Sequence, residues 1–253
     1  MFEIIDRIRE DISTLDRRAV SALVYAAIGL GSIFYLQKPE AAAALLRGTR
    51  FEQFGQSIIH PFENNLPVLA WWVFVAAVFY IAIPMAVIKY SWRAKLSDFG
   101  LNLAIEPSFF RMLAGLTAIM LPLVFLMSRT DGFAAKYPFL KIYNGEPYLG
   151  MPFLTWELIY FFQFFGLEFF FRGFLLNSLK RSLGLYSIFV MTIPYTMIHF
   201  GKPPAETFAA IIAGILLGWL SYRNGNIWMG LILHCTVAFS MDVMALYAKG
   251  ILF

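Results

Sequence analysis

Hydrophobic and polar positions alternate in long blocks. Apolar runs long enough to cross a bilayer as helices, about 18 residues or more, are separated by short polar clusters. The amino-terminal stretch differs. Glu3, Asp6, Arg7, Arg9, Glu10, Asp11, Asp16, Arg17 and Arg18 are interleaved with Phe2, Ile4, Ile5, Ile8, Ile12 and Leu15, a helical periodicity that predicts an amphipathic helix on a membrane surface. Its acids, and the lack of a small-residue cleavage site after a short apolar core, argue against a cleaved signal peptide.

Spans are predicted over residues 19–36, 66–88, 112–128, 151–177, 182–200, 206–222 and 227–248. Between the first two lies a mixed segment with an Ala-rich helix and His60-Pro61, where His60 is expected in water. Ser97 or Asp98 is expected to cap the helix that leads into the third span. Gly201-Lys202-Pro203-Pro204 must break the chain, because two adjacent prolines remove donors and bias their predecessors away from helix. Arg223-Asn224-Gly225-Asn226 reads as a tight turn. The expected fold is all-α: one polytopic membrane bundle over residues 1–253, of about seven transmembrane helices plus the amphipathic amino-terminal helix.

Composition sharpens this reading. Hydrophobic residues make up 60% and charged residues 14% of the 253 positions, and mean hydropathy is +0.68, far outside the range of soluble domains. The net charge of +4 is spread over loop ends, which suits anionic headgroups of the lipid bilayer and not nucleic acid, for which no motif is present. Lys and Arg are more numerous on the side that holds the amino terminus, so that terminus is expected in the cytoplasm. A single cysteine, Cys235, excludes an intrachain disulfide and a Cys-rich metal site, leaving any metal to His and carboxylate.

The candidate chemistry lies where polar groups interrupt apolar runs. Glu168 and Arg172 stand four apart inside the fourth span, so on a helix they share a face and can pair. An acidic or basic side chain at mid-bilayer costs about 2.5 to 3.5 kcal/mol on insertion scales, so a chain that keeps two there uses them or pairs them away from lipid. His199 ends the fifth span and His234 lies in the seventh, near the depth of Glu168. Glu157 is expected to reach water near the outer end of its span. Glu206 and Asp242 are second-rank carboxylates, the latter two i+4 steps past His234 and able to border the same cavity. The Phe-rich runs around Glu168 read as lipid-facing or core aromatics.

A carboxylate and two imidazoles can hold and deprotonate a water, directly or through a divalent metal such as zinc, so that it attacks a peptide carbonyl. Arg172 would orient Glu168 and keep it ionised. The same residues also suit a purely structural ion pair with packing histidines, or a transporter or proton relay, although no paired broken helices accompany them.

Leu167-Glu168-Phe169-Phe170-Phe171-Arg172-Gly173, then Tyr195-x-x-x-His199, then His234 in the last span resemble the CPBP family of CAAX-processing and bacteriocin-related intramembrane proteases. The resemblance covers residues 157–246, with a weaker echo in 96–101. It implies a glutamate and a histidine that activate water in a membrane-embedded cavity, with the second histidine assisting at the developing oxyanion. Carried over, the catalytic set is Glu168, Arg172, His199 and His234, with Tyr195 second-rank at the aromatic position and His199, His234 and Glu168 as the ligands of any metal. Leu167 stands where the family has its first glutamate, and Ala238 where it has an asparagine. The implied function is an intramembrane endopeptidase acting on a membrane-anchored protein or peptide substrate. The rival is a catalytically inactive scaffold of the same family that binds such a partner.

Overall fold

A computed structural model of the chain describes residues 2–59, 64–142 and 147–252; His60 lies outside them. Every regular element among the described residues is helical. The surface helix α1 (Phe2–Ser13) ends at a turn, and α2 (Arg17–Leu36) begins where Asp16 accepts the backbone N–H groups of Arg18 at 2.8 Å and Ala19 at 3.3 Å. Two orphan donors of the first turn are thereby satisfied. The mixed segment supplies α3 (Pro39–Leu46) and α4 (Glu52–Ser57). Next comes α5 (Leu66–Ser91), which widens into π-helical turns over Val78–Ala82 and Val87–Ser91 on either side of Pro84. Proline clashes with the carbonyl one turn earlier, and a wider turn relieves this.

The remaining elements are α6 (Phe109–Met127), α7 (Asp131–Lys136), α8 (Met151–Leu183), α9 (Tyr186–Met197), α10 (Pro204–Asn224) and α11 (Trp228–Ala248). Ser97 and Asp98 do not cap α6. They lie in a 3-10 turn, Leu96–Phe99, closed by Gly100 at φ +88°, with eight further residues of non-helical chain before the helix starts. That turn docks on α8: a Cβ at Gly173 would sit 2.5 Å from the Phe99 carbonyl oxygen.

Among the described residues, six helices are long and apolar enough to cross a membrane: α2, α5, α6, α8, α10 and α11. The expected fifth span is shorter. Its helix, α9, has 12 residues, about 18 Å at 1.5 Å per residue against a hydrocarbon core of about 30 Å. It stops part-way and turns back through residues 198–203 into α10. The two pack antiparallel through small residues: a Cβ at Gly214 would fall 2.7 Å from Thr192 Cγ2, and one at Gly218 2.9 Å from Met191 Cε. Such close approach is how membrane helices gain packing without a hydrophobic drive between them.

The centre of the bundle is α8, whose most apolar 18-residue stretch is 72% buried against 39% or less for those of the other five. Phe169, Phe170, Phe171 and Phe174 are all fully buried, so the Phe-rich run is core and not lipid-facing.

Candidate active site

Within α8 the α-helical ladder holds to Glu168, then widens to a π-helix over Phe169–Leu175. A π turn leaves backbone carbonyls without their usual donors, and Asn177 supplies two: its Nδ2–H donates to the carbonyls of Arg172 at 3.0 Å and Gly173 at 2.8 Å. The irregular turn presents Glu168 and Arg172 side by side, both fully buried, with Arg172 Nη1 3.1 Å from Glu168 Oε1.

Glu168 meets α11 at its other side. His234 Nδ1 lies 2.7 Å from the same Oε1, and His234 Nε2 lies 3.0 Å from the Tyr195 hydroxyl on α9. Because a carboxylate beside an arginine accepts, His234 Nδ1 carries the proton and Nε2 faces the hydroxyl with its lone pair. The result is one buried chain of contacts from carboxylate to imidazole to phenol.

This approach needs a glycine. A Cβ at Gly230, one turn before His234, would lie 2.7 Å from Glu168 Cδ and 3.2 Å from Oε1, and closer still to Oε2. Gly230 was not among the sequence candidates; its i−4 spacing to His234 is the only trace it leaves in the sequence.

Tyr195 ties the site together. The Arg172 guanidinium sits 3.9 Å from its ring centroid, a cation–π contact in a desolvated setting. Phe171 meets the same ring edge-on at 5.4 Å. The His199 ring packs on it at 4.8 Å, and His199 Nδ1 is 2.8 Å from the Tyr195 carbonyl oxygen. A carbonyl only accepts, so His199 Nδ1 carries its proton and Nε2 keeps a free lone pair. The hydroxyl of Thr207 on α10 holds the His199 carbonyl at 2.9 Å, fixing the turn that carries the histidine. Thus Glu168, Arg172, Tyr195, His199 and His234 converge on one site from α8, α9, the turn after α9, and α11.

The second-rank carboxylates do not join it. Glu206 receives the Tyr137 hydroxyl at 2.9 Å and pairs with Lys202; it starts α10 and points to the loop side. Asp242 lies two turns beyond His234, rotated about 80° around an ideal helix, and takes the indole N–H of Trp156 and the backbone N–H of Phe139. Glu157 does not reach water: it is 5% exposed, held inside α8 against α11.

The side chains as arranged do not form a metal site. Among the described residues no three His, Cys, Asp or Glu side chains converge as ligands. His234 Nε2 and His199 Nδ1 already meet protein partners, and His234 Nδ1 lies against Glu168, so a metal would have to displace these contacts.

No curated protein matches the chain. Residues 149–240 match the protein family described as Type II CAAX prenyl endopeptidase Rce1-like, in agreement with the resemblance carried by the motifs. That segment contains every residue of the converging set, and α6, α5 and α2 pack around it as further membrane helices. The chain is an integral, multi-pass membrane protein, and its segment 149–240 is similar to the Rce1-like family of type II CAAX prenyl endopeptidases.

Proposed function

We propose that this chain is an intramembrane endopeptidase that cleaves a membrane-tethered or membrane-proximal peptide by attack of an activated water. The observation that supports this most strongly is the buried sequence of contacts Glu168, His234, Tyr195, with His199 packed on the same tyrosine ring.

In this reading His199 is the general base. Its free Nε2 takes the proton of the attacking water and returns it to the leaving amine, a role worth about 10²- to 10⁴-fold in rate. The Tyr195 hydroxyl donates to His234 Nε2 across 3.0 Å, and in this reading it turns to donate to the developing oxyanion. One such donor contributes about 10²- to 10³-fold, and it supplies what Ala238, in place of an asparagine, cannot. Glu168 and Arg172 are fully buried and act through other groups: Glu168 fixes the ring and tautomer of His234, while Arg172 holds Glu168 ionised and stacks on Tyr195. They are positioning residues. No step is routed through a metal.

The same burial of Glu168 and Arg172 favours a second reading, a catalytically silent scaffold that binds a membrane protein or peptide at this site. Cleavage of membrane-anchored peptides by the reconstituted chain separates the two. With Tyr195→Phe the protease reading expects kcat to fall while the protein stays folded. With Glu168→Gln it expects a shifted pH–rate profile, which a merely structural ion pair would not produce. A scaffold binds peptide and cuts nothing in either form.

A further inference from the structure

The structure holds a second polar cluster that the proposed proteolysis does not use. It lies at the end of the bundle opposite the amino terminus, where the 137–142 segment passes over α8 and α11. Asp242 on α11 is fully buried and accepts on both oxygens, with a lone pair left on each: Oδ1 takes the Phe139 backbone N–H at 2.9 Å, and Oδ2 takes the Trp156 indole N–H at 3.1 Å. The next residue on α8 is Glu157. It is 5% exposed, directly follows the Trp156 whose indole bonds Asp242, and neither of its oxygens meets a donor among the described residues.

Among the described residues no cation bridges the two acids. Lys141 is the basic group facing Asp242, but its ammonium donates to the carbonyls of Pro138 at 2.9 Å and Lys136 at 3.3 Å. The other titratable groups that face the pair are neutral or acidic: Tyr160 on α8, Tyr148 in the preceding segment, Cys235 on α11, and Glu206 on α10 beyond Tyr137. Two neighbouring carboxylates, shielded from water and unpaired, do not both ionise.

We propose that Glu157 and Asp242 form a proton-binding site, in which one proton bound on Glu157 is donated to Asp242 and fastens the 137–142 segment between α8 and α11. Asp242 stays ionised because two N–H groups point at it; Glu157 carries the proton because nothing else satisfies it. When the proton leaves, two like charges face each other in a dry pocket. The relief is a movement of Asp242 or Glu157, and with Asp242 goes the bond to Phe139.

The test is infrared spectroscopy of the full chain in detergent, read at the carbonyl stretch of neutral carboxylic acids. At neutral pH the wild type should show such a band, and Glu157→Gln should lack it. Glutamine keeps the shape and can still donate to Asp242, so that variant should fold, and its melting temperature should hold at alkaline pH while that of the wild type falls. Labelling the glutamate carboxyls with ¹³C in the unaltered protein should shift the band, which assigns it even if the variant does not fold. A wild type without the band, a band indifferent to glutamate labelling, or a band abolished by added sodium at constant pH overturns the proposal, the last by making the pair a cation site. The inference stands on the pair itself and is independent of whether the chain cuts peptides.

Discussion

Replacing Gly230 with alanine tests the packing on which the whole site rests. The added Cβ would stand 2.7 Å from Glu168 Cδ and 3.2 Å from Oε1, inside van der Waals contact. Two responses are open, and the cheaper sets the effect. Either α11 backs away from α8, an overpacking strain of about 1 to 3 kcal/mol, or the carboxylate swings aside and gives up its charged contact with His234, about 1.5 to 3 kcal/mol. Alanine in place of glycine in a helix returns about 1 kcal/mol, so the net loss should be about 0 to 2 kcal/mol. Thermal unfolding in detergent would read it, as a double-mutant cycle with Glu168→Ala. Removing the carboxylate makes room for the methyl, so the penalty of Gly230→Ala should shrink or reverse in that background, with a coupling of at least about 1 kcal/mol. Strict additivity, or a Gly230→Ala protein more stable than the wild type, would refute the close approach of α11 to Glu168.

The other expectations concern the frame and the chemistry. Gly214→Ala should lower stability by about 1 to 3 kcal/mol through contact with Thr192 and Tyr195, seen as a lower melting temperature; an unchanged one contradicts the α9–α10 packing. Asp16 lies outside the membrane helices, and the Ser182 hydroxyl and the amide of Ala19 hold its carboxyl below the ordinary value of 3.8. Its contribution is therefore complete above that value and lost as pH falls through the lower, folded-state one. Asp16→Ala should cost about 1 kcal/mol at neutral pH, and the difference from wild type should close on acidification; a pH-independent difference would deny the linkage. Because no three ligand side chains converge among the described residues, a chelator should leave peptide cleavage unchanged, and loss of cleavage restored by zinc would reverse that expectation.

Much of this arrangement is legible in the sequence, for one reason: ionisable groups are costly in apolar spans, so Glu168, Arg172, His199 and His234 stand out without any knowledge of their partners. Their i,i+4 spacings, Glu168 to Arg172 and Tyr195 to His199, also place neighbours correctly. What stays hidden depends on contacts between distant segments. Gly230 is silent until α8 is known to press against it. The π turn after Glu168 has no local signature, since its freed carbonyls are answered by Asn177. Hydropathy runs through Ile198 and Phe200, so a helix that stops at Met197 looks like a full span. Asp242 is close to His234 along the chain, yet the turn of the helix and two turns of rise carry it to Trp156 and Phe139 instead. Glu157, assigned to water from its position near a span end, is buried because α11 and the 137–142 segment cover it.

The most direct measurement is cleavage of a panel of membrane-anchored peptides by the purified chain in liposomes, wild type beside His199→Ala, with folding of both confirmed. The account predicts that the wild type cuts and that the variant is slower by about 10²-fold or more. A folded wild type that cuts no peptide in the panel, or a His199→Ala variant that cuts as fast, contradicts it.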